Sequence, residues 1–180
     1  MVTGSAVEII VKGAPVVEIY GYESVIAGDS VWYNITNVGD KPWSFKLSNG
    51  TEQKGVSENN FYSYYIPKKS EDLFITSVSN TCGEGTFKGK ATFVVYEPEE
   101  IEGLVKVFPN PYEPNTGLYI DRALMKNRGE VVITDVSGRE LKREEIIRGY
   151  MPLDLTEYPK GLYYLRISAY GRKFVRKVVK

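Results

Sequence analysis

Short runs of β-branched and aromatic residues fill this chain, separated by glycine, proline, asparagine and aspartate at intervals of roughly 8–12 residues. No long segment with a 3.6-residue apolar period lies between the breaks. A chain patterned this way is confined to all-β architectures, sandwiches above all. Its 180 residues are enough for two small domains of that kind.

Charge divides the chain where a domain boundary is expected. Residues 1–103 hold 8 Lys, no Arg and 14 Asp or Glu, a net −6; residues 104–180 hold 15 Lys or Arg and 9 Asp or Glu, a net +6. The changeover falls in EPEEIEG (97–103), whose four glutamates, proline and glycine leave little to bury. The expectation is a solvated acidic linker over 98–103 between two modules. The acidic half disfavours nucleic acid. The basic half scatters its Lys and Arg among acids without an aromatic-basic groove, so no nucleic-acid partner is expected.

In the first module, 15–97, Val16–Tyr20 is a candidate strand. Val31, Tyr33 and Ile35 share one face of a second, and Trp43, Phe45 and Leu47 one face of a third. Asn49-Gly50 marks a tight turn. Phe61–Ile66, Leu73–Val78 and Ala91–Tyr96 bring the count to about seven strands. The stretches 26–50, 61–67 and 77–91 resemble the immunoglobulin-like repeats of large bacterial surface proteins, in which such modules serve as spacers or adhesive units. Trp43 stands where that sandwich keeps its core tryptophan. GSAVEIIV (4–11) echoes GKATFVVY (89–96) at an offset of 85 positions. Residues 1–14 are therefore expected to be the remnant strand and linker of a preceding copy.

The second module, 104–180, carries an ordered set of motifs. Phe108-Pro109-Asn110-Pro111 ends one strand in an extended turn. GEVVIT (129–134) is a strand, and Asp135-Val136-Ser137-Gly138 a turn in which Gly138 is free to take positive φ. Arg139–Ile147 reads as a return strand, with a helix as the competing local reading. Gly161, Tyr163 and Ile167 open a final hairpin that ends in Lys177-Val178-Val179-Lys180.

This ordered set resembles the C-terminal sorting domain of the type IX (Por) secretion system. The resemblance implies a second β-sandwich, hence two in all: an immunoglobulin-like one followed by a sorting domain. It implies a sorting signal carried by Pro109, Asn110, Pro111, Asp135, Gly138, Gly161, Tyr163, Lys177, Val178, Val179 and Lys180. Its partners would be the type IX translocon and a sortase-like peptidase. Cleavage is placed in the linker around Glu100, Ile101, Glu102 and Gly103, with surface lipopolysaccharide as an attachment point after processing. The implied location is outside the cell or on the outer-membrane surface of a Gram-negative bacterium. The mixed faces of 173–180 read as an edge strand open to strand addition, or as one protected by gatekeeper lysines.

Enzymatic chemistry finds little footing. The chain has no histidine and one cysteine, Cys82, which excludes a Ser-His-Asp triad, a histidine zinc site and an internal disulfide. No catalytic set, cofactor or metal ligand is expected, and no apolar run approaches the ~20 residues of a membrane span. The alternative function is an adhesin that binds carbohydrate or protein, with Tyr62 and Tyr64 as candidate glycan contacts beside the core-facing Phe61 and Tyr65.

Overall fold

The structure, a computed structural model, describes residues 13–180, so the remnant strand expected over 4–11 lies outside the described residues. The chain forms two compact units. Of the described residues, the first comprises 13–22, Val31–Tyr65 and Glu71–Phe93; the second comprises Glu23–Ser30, Ile66–Ser70 and Val94–Lys180. Both are built of strands, as the turn spacing requires.

Among the described residues, nine strands precede residue 97: β1 (Val16–Ile26), β2 (Val31–Asn37), β3 (Trp43–Leu47), β4 (Glu52–Val56), β5 (Asn60–Tyr65), β6 (Glu71–Leu73), β7 (Ile75–Asn80), β8 (Gly83–Glu84) and β9 (Thr86–Tyr96). One sheet has the order β5-β2-β1-β9-β6 and the other β4-β3-β7-β8. The period-2 residues face inward as expected. Val31 and Ile35 are fully buried, and so is Trp43, whose indole N–H donates to the Glu58 carbonyl at 2.9 Å.

One expected strand is two. Leu73–Val78 breaks at Phe74: β6 pairs with β9 and β7 with β3, so the chain changes sheets there. Leu73 and Ile75 are both buried, and a single extended run feeds both layers of one core.

The second unit adds β10 (Val105–Phe108), β11 (Gly117–Ile120), β12 (Gly129–Thr134), β13 (Glu140–Ile146), β14 (Tyr150–Pro152), β15 (Leu162–Ala169) and β16 (Arg172–Val179). They form a three-stranded sheet, β10-β11-β14, and a four-stranded sheet, β13-β12-β15-β16. Leu118, Val131, Leu155, Leu165 and Val178 are among the residues of the core these sheets share. The helix-or-strand ambiguity of 139–147 resolves as strand. Tertiary pairing of β13 with β12, Val131 opposite Glu144, outweighs the good helix formers of that run.

The acidic stretch 98–103 faces water at every residue but one. Ile101–Leu104 forms one turn of 3-10 helix, and Ile101, 1% exposed, belongs to the core of the second unit. Burying that one side chain contributes roughly 1.5–3 kcal/mol. It anchors a segment whose other residues, Pro98, Glu99, Glu100, Glu102 and Gly103, face water.

Candidate functional site: the motif-bearing end of the second unit

Register alone gathers the motifs. Thr134 of β12 lies opposite Tyr164 of β15, and Tyr164 lies opposite Lys177 of β16. The Asp135–Gly138 turn, the Pro159–Gly161 turn and the end of the chain therefore emerge at the same end of the four-stranded sheet. β10 delivers the Pro109-Asn110-Pro111 segment to that end as well. Four elements spread over some 70 residues of sequence form one surface.

Asn110 binds the terminal strand directly. Its Nδ2 donates to the Lys177 carbonyl at 2.8 Å, and its Oδ1 accepts from the Val179 N–H at 3.1 Å. A carboxamide so placed imitates the peptide group of a neighbouring strand. The Tyr112 N–H adds a bond to the Val179 carbonyl at 2.7 Å. The segment is pinned from behind by Thr116, fully buried, whose hydroxyl donates to the Pro109 carbonyl at 3.0 Å. Pro109 and Pro111 both follow cis peptide bonds.

β16 is the last strand of its sheet, as its mixed faces suggested, yet its outer edge is not open along its whole length. Even-numbered residues bond to β15, leaving the N–H and C=O groups of Lys173, Val175, Lys177 and Val179 outward. Asn110 and Tyr112 occupy the edge at Lys177 and Val179. The Arg176 Nη1 donates to the Val175 carbonyl at 2.8 Å. The side chains of Lys177 and Val179 remain exposed, whereas Val178 is fully buried.

Lys180 is not a free surface lysine. Its Nζ donates to three carbonyls, of Leu155 at 2.7 Å, Thr156 at 2.9 Å and Tyr158 at 2.5 Å, and lies 5.9 Å from the Tyr112 ring centroid. Three acceptors match the three donors of an ammonium group. Its main chain exchanges two bonds with Gly161, at 2.8 and 3.0 Å. Gly161 thus forms the final rung beside the chain end. Two residues on, Tyr163 sits opposite Val178, buried, with its hydroxyl on the Pro159 carbonyl.

The Asp135 turn is held by its own carboxylate. Oδ1 accepts from the Ser137 N–H, the Ser137 hydroxyl and the Arg139 N–H, and Oδ2 accepts from Arg139 Nε at 3.1 Å. The Ser137 hydroxyl, with the backbone amides and Arg139, holds this carboxyl below its ordinary pKa. Gly138 has φ +84, and a side chain there would strain the turn.

Arg176 belongs to this end of the unit although no sequence motif includes it. It lies on the inner face of β16 between Phe174 and Val178, and its guanidinium donates from Nε to the Val105 carbonyl at 2.8 Å and from Nη2 to the Glu102 carboxylate at 3.0 Å. It thereby ties the terminal strand to the helical turn before β10. It shares its face of the strand with Arg172, Phe174, Val178 and Lys180, so nothing in the sequence sets it apart. Of the expected cleavage residues, Glu100, Glu102 and Gly103 are exposed, while Ile101 is buried. Tyr62 and Tyr64 lie in the first unit, on the outer face of β5, 66% and 61% exposed. Among the described residues no cluster of His, Cys, Asp and Glu suits a metal ion, and no helix is long and apolar enough to cross a membrane.

Residues 106–180 match the family model of the secretion system C-terminal sorting domain. The second unit thus carries a sorting domain of that family, as the motifs implied, and such a domain marks its protein for secretion to the bacterial cell surface or outer membrane. No curated protein matches the chain. Among solved structures, two determinations of a three-immunoglobulin-domain titin fragment align over 94% of this chain at 12% and 11% identity, with TM-scores of 0.39 and 0.42. An ICAM-5 ectodomain fragment aligns over 87% at 12% identity with a TM-score of 0.33. The chain spans 65% of the titin fragment and 46% of the ICAM-5 fragment.

Proposed function

We propose that residues 104–180 serve as the export address of this chain and do no chemistry of their own, with residues 15–97 a spacer ahead of it. The type IX translocon reads the motif-bearing end of the second unit, where the exposed side chains of Lys177 and Val179 stand beside Asn110. A sortase-like peptidase then cuts within 97–104, and the released protein is left free or joined to surface lipopolysaccharide. The observation that carries this reading is the convergence of four sequence motifs on one end of one unit, around a strand at a sheet edge.

Cleavage in this segment requires the Ile101–Leu104 turn to open, since a protease takes its substrate extended. The release of Arg176 from Glu102 is part of that opening.

A reporter placed ahead of the whole chain, expressed in a host with the secretion system, tests the reading. The wild-type fusion is expected outside the cell. A Lys177→Glu/Val179→Asp double variant is expected to stay inside although it folds, because both side chains face water. Export of that variant at wild-type levels, or retention of the wild-type fusion, would count against the reading. Deleting Lys177–Lys180 is a poorer test, since it also removes the buried Val178.

A further inference from the structure

The outer face of three adjacent strands in the first unit is paved with aromatic rings. β1 contributes Tyr20 and Tyr22, β2 contributes Trp32, and β5 contributes Tyr62 and Tyr64; each of the five is between 54% and 66% exposed. Trp32 lies opposite Tyr64 with ring centroids 5.0 Å apart. Asn34 lies at the centre, opposite Tyr20 on one side and Tyr62 on the other.

Asn34 marks this face as more than exposed surface. It is 93% buried (7% exposed), its Nδ2 donates to the Tyr20 hydroxyl at 2.5 Å, and its Oδ1 has no hydrogen-bond partner. No other buried side-chain nitrogen or oxygen among the described residues lacks one. A buried acceptor without a donor is unfavourable, and a donor brought by a ligand relieves it.

We propose that this face binds a neutral carbohydrate, with pyranose rings stacked on Trp32, Tyr62 and Tyr64, and that the side chains covering Asn34 Oδ1 shift on binding so that a sugar hydroxyl donates to it. Rings on neighbouring strands stand about 5 Å apart, and those two residues apart along a strand about 7 Å, the scale of a single sugar ring. A pyranose presents an apolar C–H face together with hydroxyl donors, which is what aromatic faces around a lone acceptor require. Unstacked nucleobases, the other ligand of such platforms, carry phosphate into a half of the chain with net charge −6. A purely apolar protein surface would leave the Asn34 oxygen unsatisfied. The sorting domain marks the protein for the cell surface, where glycans are met.

The test uses the full chain on an array of neutral oligosaccharides (gluco-, xylo-, manno- and N-acetylglucosamine series), followed by fluorescence titration of any hit. Trp43 is fully buried and Trp32 is 56% exposed, so a ligand on the platform protects Trp32 emission from iodide quenching. Binding with that protection, lost at least tenfold in Tyr64→Ala and retained in Tyr64→Phe, supports the site. Three results overturn it: no hit on the array, a hit that leaves Trp32 quenching unchanged, or self-association of the wild type that Tyr64→Ala abolishes. Export of the chain is a separate readout, which Tyr64→Ala leaves unchanged.

Discussion

Asn110 holds Val179 as a neighbouring strand would, accepting from its N–H at 3.1 Å while donating to the carbonyl of Lys177 two residues earlier at 2.8 Å. The Pro-Asn-Pro motif is therefore an edge cap, and its asparagine is specified by the need for one donor and one acceptor at the spacing of a peptide group. Asn110→Ala should keep the fold and cost the second unit about 1 kcal/mol, as two exposed bonds do. Hydrogen exchange at the Val179 amide should quicken while the amides of β12 keep their protection. Unchanged exchange at Val179 would disprove the cap.

Lys180 closes the sandwich through charge. Replacing it with methionine keeps the stem and removes three bonds from an ammonium to carbonyls. The expected loss is about 1.5–3 kcal/mol, the range for bonds to a charged group, reduced by its partial exposure. Lys180→Arg should not restore the loss, because a planar guanidinium cannot aim three donors at carbonyls grouped around a point. Urea unfolding followed by tyrosine signals from Tyr158 and Tyr163 would measure both variants.

Ile101 secures the segment between the two charge-distinct halves. Ile101→Ala should destabilise the Ile101–Leu104 turn by about 2–5 kcal/mol. It should also make residues 97–104 the first site of limited proteolysis. If the wild type is cut there equally fast, the turn is open in solution.

Tyr170 gives the second unit an alkaline limit. It occupies the two-residue turn between β15 and β16 with φ +54, and its hydroxyl donates to Asp29 Oδ2 at 2.6 Å. Burial, and then the Asp29 carboxylate that accepts its proton, push its pKa up to about 12. A phenol whose pKa is higher folded than unfolded adds stability that is complete below its unfolded value, near 10. That stability fades as the pH rises through the folded value. Wild type should therefore lose stability between about pH 10 and 12 by a step that Tyr170→Phe lacks. Parallel pH profiles of the two proteins would contradict the assignment.

Residues that act through local pattern disclose their roles in the sequence. Trp43, Val31 and Ile35 are buried because period-2 alternation places them on one face, and Gly138 turns because its neighbours leave the chain no other path. Asp135 is legible as a turn residue because its carboxylate caps amides only two and four positions away. Lys180 and Arg176 are not legible in this way. Apart from the Arg176 bond to the adjacent Val175 carbonyl, each has its partners tens of residues off, and nothing nearby in sequence distinguishes them from other basic residues of the strand. Ile101, one apolar residue among glutamates, is masked by its surroundings, although its own chemistry calls for burial.

Side-chain order along the chain suffices for the all-β class, most of the turns, the split into acidic and basic halves, and the succession of the motifs. All of these follow from alternation, turn chemistry and charge, which need only neighbours in sequence. Folding in three dimensions settles that Leu73 and Ile75 serve different sheets, that Asn110 meets Lys177 and Val179, and that Tyr20 and Tyr62 flank Asn34 on one face of three strands. Strand pairing and register are set by the collective packing of residues far apart in the chain, and no local window contains that information.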